Sequence, residues 1–267
     1  DPQPKAVRGF IPARTDEERY LMRHIEDLAR TAFSREIARY SGFLSDREQD
    51  LARAALGRAD IEEGFRFEGG WPQAERRILC LEPEYSYGEN PIRCVRLQCR
   101  ALPGAALPAH KDYLGSLMGL ELKREALGDI VLPEDQPGTA YVFALEPAAQ
   151  LICRELFQAG HTELTTELLE PDEIPSFPQA RRELRSATVS SLRLDAVLAA
   201  MLRCSRGMAA ELVAAGRVEI NHLPVSSAHA PVYESDVFTV RGKGRFRLTA
   251  LPGKSKKDRQ IIEFFQY

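Results

Sequence analysis

Apolar residues recur at helical spacing from Asp16 to about Tyr40, where Leu21, Ile25, Leu28, Ala32 and Ile37 mark one face of an amphipathic helix. Ser45 and Glu48 then stand three apart ahead of a second periodic run through Leu56, the spacing of a capping box, and Gly57 predicts its end. Residues 65–67 and 78–81 read as two strands around Gly69-Gly70-Trp71-Pro72. Trp71, the only tryptophan, is expected to cover a core edge and not an RNA base, because large aromatics mostly pack.

Beyond this helical pair and hairpin the pattern changes. Residues 92–100 alternate as a strand, 111–123 are helical, 129–132 and 139–145 are strands, 148–157 are helical and 162–168 close as a strand. This is the β-α-β-β-α-β order of ferredoxin-like and RRM-like folds, which alone gives no function. Arg96, Gln98 and Arg100 share one face of the first strand, which makes a basic sheet face possible. Tyr141 and Phe143 also share a face and would stack on bases if it were open, but the aromatic signature of a true RRM is absent and core packing is the expectation. Asp112 and His110 are expected to cap the helix that follows them.

The prolines and acids of EPDEIPSFPQ, after Leu169, read as an inter-domain linker. Past it, Leu194, Val197, Leu198, Met201 and Leu202 form a helical stripe from a Ser190/Ser191 cap. Ser205 caps a second helix that buries Ala209, Leu212 and Val213 and that Gly216 closes. Strands follow at 217–221, 237–240 and 245–251, and a last one at 261–265. The predicted class is therefore α+β: an N-terminal helical domain with a β-hairpin (1–85), an RRM-like domain (86–170), a linker (171–185) and a C-terminal αα-then-β module (186–267). Residues 1–13, with three prolines and no period, are expected to be an extended lead-in.

Charge sharpens this division. The net charge is −3, yet residues 181–267 hold 15 Lys/Arg against 8 Asp/Glu, or +7, while residues 1–180 hold 21 against 31, or −10. A basic module on an acidic body is a directed electrostatic footprint for a polyanion. Arg193, Arg203, Arg206 and Arg217 are expected to lie near one another across two helix starts and a strand start, where guanidinium forks and helix N–H donors suit phosphate oxygens. Lys254, Lys256, Lys257 and Arg259 crowd a turn before the last strand and would add salt-sensitive affinity without base selectivity.

Other chemistry finds little support. Five cysteines, odd in number and without a CxxC pair, indicate neither a disulfide framework nor zinc, and five scattered histidines lack ligand spacing. No GxGxxG or GxxxxGK loop occurs, and His110-Lys111-Asp112 lacks every partner of a kinase loop. No apolar run approaches a membrane span and the first residues lack a signal core, so a cytoplasmic, cofactor-free, metal-free monomer is expected.

The ordered set RLD at 193–195, SR at 205–206, AGRVEIN at 215–221 and SD at 235–236 resembles the S-four RNA-binding domain, named after the fourth small-subunit ribosomal protein. The resemblance implies that Arg193, Ser205, Arg206, Arg217 and Asn221 face structured RNA; His222 stands where many members carry glycine, which leaves that turn open. With GGWPQAERR at 69–77 and HKDYLGSLMGLELKREALGDI at 110–130, most of the chain resembles the bacterial YlmH family. That resemblance implies a non-catalytic protein that binds rRNA and/or tRNA on the large ribosomal subunit, near peptidyl-tRNA, in rescue of stalled nascent chains including alanine tailing.

Two rival classes remain. An RNA-modifying enzyme, a pseudouridine synthase or a methyltransferase, would use the S-four unit as an accessory; Arg193-Leu194-Asp195 matches the triplet around a synthase's catalytic aspartate, but lies in a helix where Asp195 is expected to pair with an arginine. A protein-binding adaptor would turn the basic face to an acidic partner.

Overall fold

The computed structural model describes residues 13–178 and 182–267, in two compact units, residues 1–179 and 180–267. Apart from Ala13, the expected lead-in lies outside the described residues.

Helix α1 (Asp16–Arg35) begins at Thr15, whose hydroxyl accepts from Glu18 N at 3.1 Å, and carries three acids in its first turn where the helix dipole favours them. It stops earlier than its apolar period predicts. Glu36 turns to φ 51°, Ile37 N donates back to Ala32 O, and the chain enters an unforeseen strand, β1 (Arg39–Leu44). Helix α2 (Asp46–Arg58) has the capping box: Ser45 Oγ accepts from Glu48 N at 3.2 Å and Glu48 Oε1 from Ser45 N at 2.9 Å. It runs through Gly57 to a cap at Ala59. Strands β2 (Phe65–Glu68) and β3 (Arg77–Leu81) join β1 in the antiparallel order β1-β3-β2. Both helices pack on this sheet through Met22, Ile25, Leu51, Leu56, Leu79 and Leu81.

The next elements are β4 (Ile92–Cys99), α3 (His110–Met118), β5 (Leu127–Val131), β6 (Thr139–Leu145), α4 (Glu146–Glu155), β7 (Gln158–Ala159) and β8 (Thr162–Leu169). Their antiparallel order, β5-β6-β4-β8-β7, is the ferredoxin-like arrangement with one short edge strand added. Ala109 N donates to Asp112 Oδ2 at 2.8 Å, so Asp112 does cap α3, which ends at Gly119 and not at residue 123. Helices α3 and α4 cover one sheet face over Val95, Leu97, Val142, Tyr113, Leu117 and Ile152.

The opposite face is not open. Cys94, Tyr141 and Phe143 meet Phe43, Ile78 and Cys80 of the three-stranded sheet, with Trp71, Ile174 and Phe177 packed against them. Tyr141 is 3% exposed and Phe143 fully buried, which removes the stacking platform an RRM would offer. Arg96, on the prospective basic face, is paired with Glu167. One core thus spans the segments read from the sequence as 1–85 and 86–170, and takes in Ile174 and Phe177 from the expected linker. Burial pushes the Cys80 and Cys94 thiols up to about 12, as befits small apolar fillers.

A polar latch reinforces this core. Asp129 on β5 accepts Trp71 Nε1 at 3.0 Å, Glu75 N at 2.8 Å and Arg76 N at 3.0 Å. Gly70, at φ 89°, brings the backbone so close to Phe143 that a Cβ would sit 2.4 Å from its ring.

The second unit runs β9 (Arg185–Val189), α5 (Leu194–Leu202), α6 (Arg206–Ala214), β10 (Val218–Ile220), β11 (Leu223–Pro224), β12 (Val237–Val240), β13 (Gly244–Lys254) and β14 (Gln260–Gln266). Its six-stranded antiparallel sheet has the order β11-β10-β12-β13-β14-β9. Strand β9 begins inside the expected linker, paired to β14 with Val189 opposite Gln260. Helices α5 and α6 cover one face, burying Leu194, Val197, Leu198, Leu212 and Val213 against Val218, Phe238, Phe246 and Ile262. Gly216, at φ 68°, closes α6 as its position predicts.

Candidate nucleic-acid interface

Arg193 occupies the N-cap of α5 with an extended backbone (φ −103°, ψ 149°), a place the sequence assigns to Ser190 or Ser191. The serine is absent from the cap because a distant loop does its work: Leu194 N donates to Ala230 O and Asp195 N to Ala228 O, both at 2.9 Å. The first N–H groups of α5 are therefore consumed inside the fold and are not offered to a ligand. The helix start positions side chains instead.

Asp195, 5% exposed in the first turn of α5, gathers two guanidinium groups. Arg193 reaches it through Nε at 3.2 Å and Nη2 at 3.0 Å, and Arg206, the first residue of α6, through Nη2 at 2.8 Å. Ala196 N adds a bond to the same carboxylate at 2.9 Å. Burial alone would raise the Asp195 pKa; hydrogen bonds from Arg206 and then Arg193, with their charges, outweigh it and hold the carboxyl below its ordinary value. One ionised carboxylate between two cations leaves the trio one positive charge in excess. Both arginines stay partly exposed, at 39% and 48% of their side-chain surface, with donors turned outward.

The same group extends to each side. His229 Nδ1 meets Arg193, and Ser190 Oγ lies 3.5 Å from Arg206 Nη1. Two residues upstream Thr188 accepts Arg259, through Oγ1 at 3.2 Å and its carbonyl at 3.0 Å. The turn between β13 and β14 thus sits beside the 188–190 segment, and Lys256 and Lys257 project from it into solvent. Lys254 is held by Asp258 at 2.8 Å, four residues on, which offsets part of its charge.

The remaining expected residues are placed differently. Ser205 caps α6, its Oγ accepting from Met208 N at 3.1 Å. Arg203 closes α5 at φ 53° and is exposed three residues before Arg206. Arg217 is not among the groups bonded to Asp195: it follows the far end of α6, eight helical steps, about 12 Å of rise, beyond Arg206. Asn221 turns inward. Its amide donates to Asp236 Oδ1 at 3.1 Å and its carbonyl accepts from Val237 N at 2.9 Å, so both ends of the side chain hold the sheet together. Asn221 and His222, at φ 51° and 65°, form a two-residue hairpin turn with Ile220 opposite Leu223, which answers the open question of this turn. The histidine adopts the left-handed conformation that glycine would. No local pattern marks His229 or the 228 and 230 carbonyls, because they meet the start of α5 only through long-range contacts.

Among the described residues no group of three or more His, Cys, Asp or Glu is placed to hold a metal ion, and no helix is long and apolar enough to cross a membrane.

Two helices feeding a curled sheet, with an arginine pair gathered on one aspartate at the helix starts, define an S4-domain protein, and the S4 domain family matches residues 192–238. Over 223 residues the chain is 36% identical to the ribosome-associated protein quality control protein P2 of Bacillus subtilis (strain 168), covering 83% of this chain and 84% of that one. The chain belongs to the family of that protein, the YlmH family. A solved structure, the cell division protein ylmH from Streptococcus pneumoniae, is similar at 14% identity and a TM-score of 0.48, over 62% of this chain and 100% of that one.

Proposed function

We propose that this is a non-catalytic RNA-binding protein that docks on structured RNA of the ribosome, large-subunit rRNA and/or tRNA, and works in translation or in the rescue of stalled nascent chains. The observation that carries the reading is the Arg193–Asp195–Arg206 trio: two forks fixed by a buried carboxylate, with excess positive charge and outward donors. The relative from Bacillus subtilis, named for ribosome-associated quality control, supports the ribosome as the place of work. A monomer in the cytoplasm, needing no cofactor, suffices for such a role.

Non-catalysis rests on Asp195. Both of its oxygens are engaged, Oδ1 by Arg193 and Ala196 N, Oδ2 by Arg193 and Arg206, which leaves no lone pair aimed at a reacting base. The test is co-sedimentation of the full chain with ribosomes, before and after nuclease treatment. Nuclease-sensitive co-sedimentation is expected; binding that survives complete RNA digestion would point to a protein partner instead. Incubation with tRNA and rRNA plus S-adenosylmethionine, followed by nucleotide mass spectrometry, would overturn the non-catalytic reading if a new modification appeared.

A further inference from the structure

At the end of the six-stranded sheet where α6 delivers the chain into β10, a separate group of cations converges. Arg241 N donates to Arg217 O at 2.9 Å, which fixes the end of β12 beside the start of β10. Lys243 N donates to Val240 O at 2.9 Å and closes the β12–β13 turn, with Gly242 at φ 79° and Gly244 at φ 114°. Gln266, on β14, pins the turn by donating to Lys243 O at 3.3 Å, and its side chain stands where a Cβ on Gly244 would go, 2.7 Å away. The turn is therefore held in one shape, in contrast to an unanchored lysine loop.

Arg217, Arg241 and Lys243 are all exposed, and none has an ion pair among the described residues. The alternation that buries Val218 and Val240 under the helices puts Arg217 and Arg241 on the helix-free side, with Glu219 as the neighbouring acid of β10. One carboxylate against three cations leaves the patch about two charges in excess. Arg245, opposite Thr239 on the same side, is stacked 3.9 Å over Tyr267 and adds a positioned guanidinium at its border. Like charges held together by backbone bonds and without matching carboxylates repel one another, and a polyanion relieves that repulsion while releasing its own counterions.

We propose that Arg217, Arg241 and Lys243 form a second phosphate-binding cluster that grips the backbone of the bound RNA at phosphates different from those met by Arg193 and Arg206. The proposal rests on the RNA-binding reading above and adds to it a second contact on the other side of the sheet. The two groups stand at opposite ends of α6, about 12 Å of helix rise apart, a spacing that suits separate phosphates of one backbone. As a set of backbone contacts, the cluster contributes to register and affinity and not to sequence preference.

The experiment measures binding of the full-length protein to purified large-subunit rRNA across a KCl series, for four proteins: the unaltered chain, R206A, R241A/K243A, and R23A/R30A, which removes two exposed charges from α1. The expected result is a slope of log affinity against log salt lowered by roughly one to two in R241A/K243A, about 0.7–0.9 for each lost phosphate contact, with an unchanged melting temperature and no change in R23A/R30A. An unchanged slope in R241A/K243A beside a lowered one in R206A would overturn the second cluster and leave the RNA reading standing. Slopes unchanged in both would overturn the RNA reading and the cluster with it. An equal fall in R23A/R30A would trace the effect to net charge and likewise overturn the proposal.

Discussion

The amide of Asn221 donates to the carboxylate of Asp236 at 3.1 Å, joining two residues fifteen apart at one edge of the C-terminal sheet. Asp236 is fully buried and also accepts Tyr233 N at 2.9 Å, so the asparagine satisfies a carboxyl group with little access to water. Replacing Asn221 by Ala is expected to cost about 1–3 kcal/mol, the penalty of an under-satisfied buried group. Urea denaturation would measure it. The salt slope of RNA binding should stay as it is, because the side chain is uncharged and both its ends are bonded within the sheet.

The arginine pair predicts the opposite pattern. R193A and R206A should each leave the fold intact, lower RNA affinity, and reduce the slope of log affinity against log salt by roughly one unit per lost phosphate contact. A filter-binding series in KCl reads both quantities. An unaffected slope would mean that these forks stay on Asp195 and do not touch phosphate.

Asp195 makes the C-terminal unit sensitive to acid. Its folded pKa lies below its ordinary value, so its contribution is full above pH 5, shrinks as pH falls past the ordinary aspartate value near ~4, and vanishes below the folded pKa. In D195N this part of the acid dependence should disappear, with stability at neutral pH lowered by about 1 kcal/mol, a modest figure because both arginines remain half in water. Chemical denaturation at pH 7, 5 and 3 would reveal the flatter profile.

In the first unit D129A should be the most damaging polar change. It strands Trp71 Nε1 and two backbone N–H groups at once, and a loss of about 2–4 kcal/mol is expected. Trp71 is the only tryptophan, so its emission reports the loss directly: a red shift before global unfolding is the expected signature.

G70A combines a positive φ with a Cβ 2.4 Å from the Phe143 ring. The buried ring cannot retreat, and a destabilisation of about 2 kcal/mol or more is expected by thermal melting.

These residues also mark how far the sequence could be read. The capping box at Ser45, the β-α-β-β-α-β order, the Ser205 cap and Gly216 were legible because each is a local signal: a fixed spacing, a period, or a residue type suited to one backbone conformation. Strand β1 was hidden because Glu36, not glycine, breaks α1, and Ile37 continues the helical period past the break. Strand β9 was hidden because it is only five residues long, follows a proline-rich run, and is held as a strand by pairing with β14. In the site, residue types announced the arginines, and RLD placed Arg193 beside Asp195. Nothing local could say that Asn221 would be spent on Asp236, that carbonyls from 228 and 230 would fill the start of α5, or that Arg217 would stand with Arg241. Those are facts of tertiary contact.

The core shared by Phe43, Phe143 and Phe177 has a consequence for how the protein is made. Synthesis runs from the amino end, and a three-stranded sheet with two helices would ordinarily be ready to settle once it had cleared the exit tunnel. Here its inner side has no cover until β6 and the segment ending at Phe177 have been made, so the shared core can close only late in synthesis. Until then the nascent chain exposes an apolar sheet face, the kind of surface chaperones exist to cover.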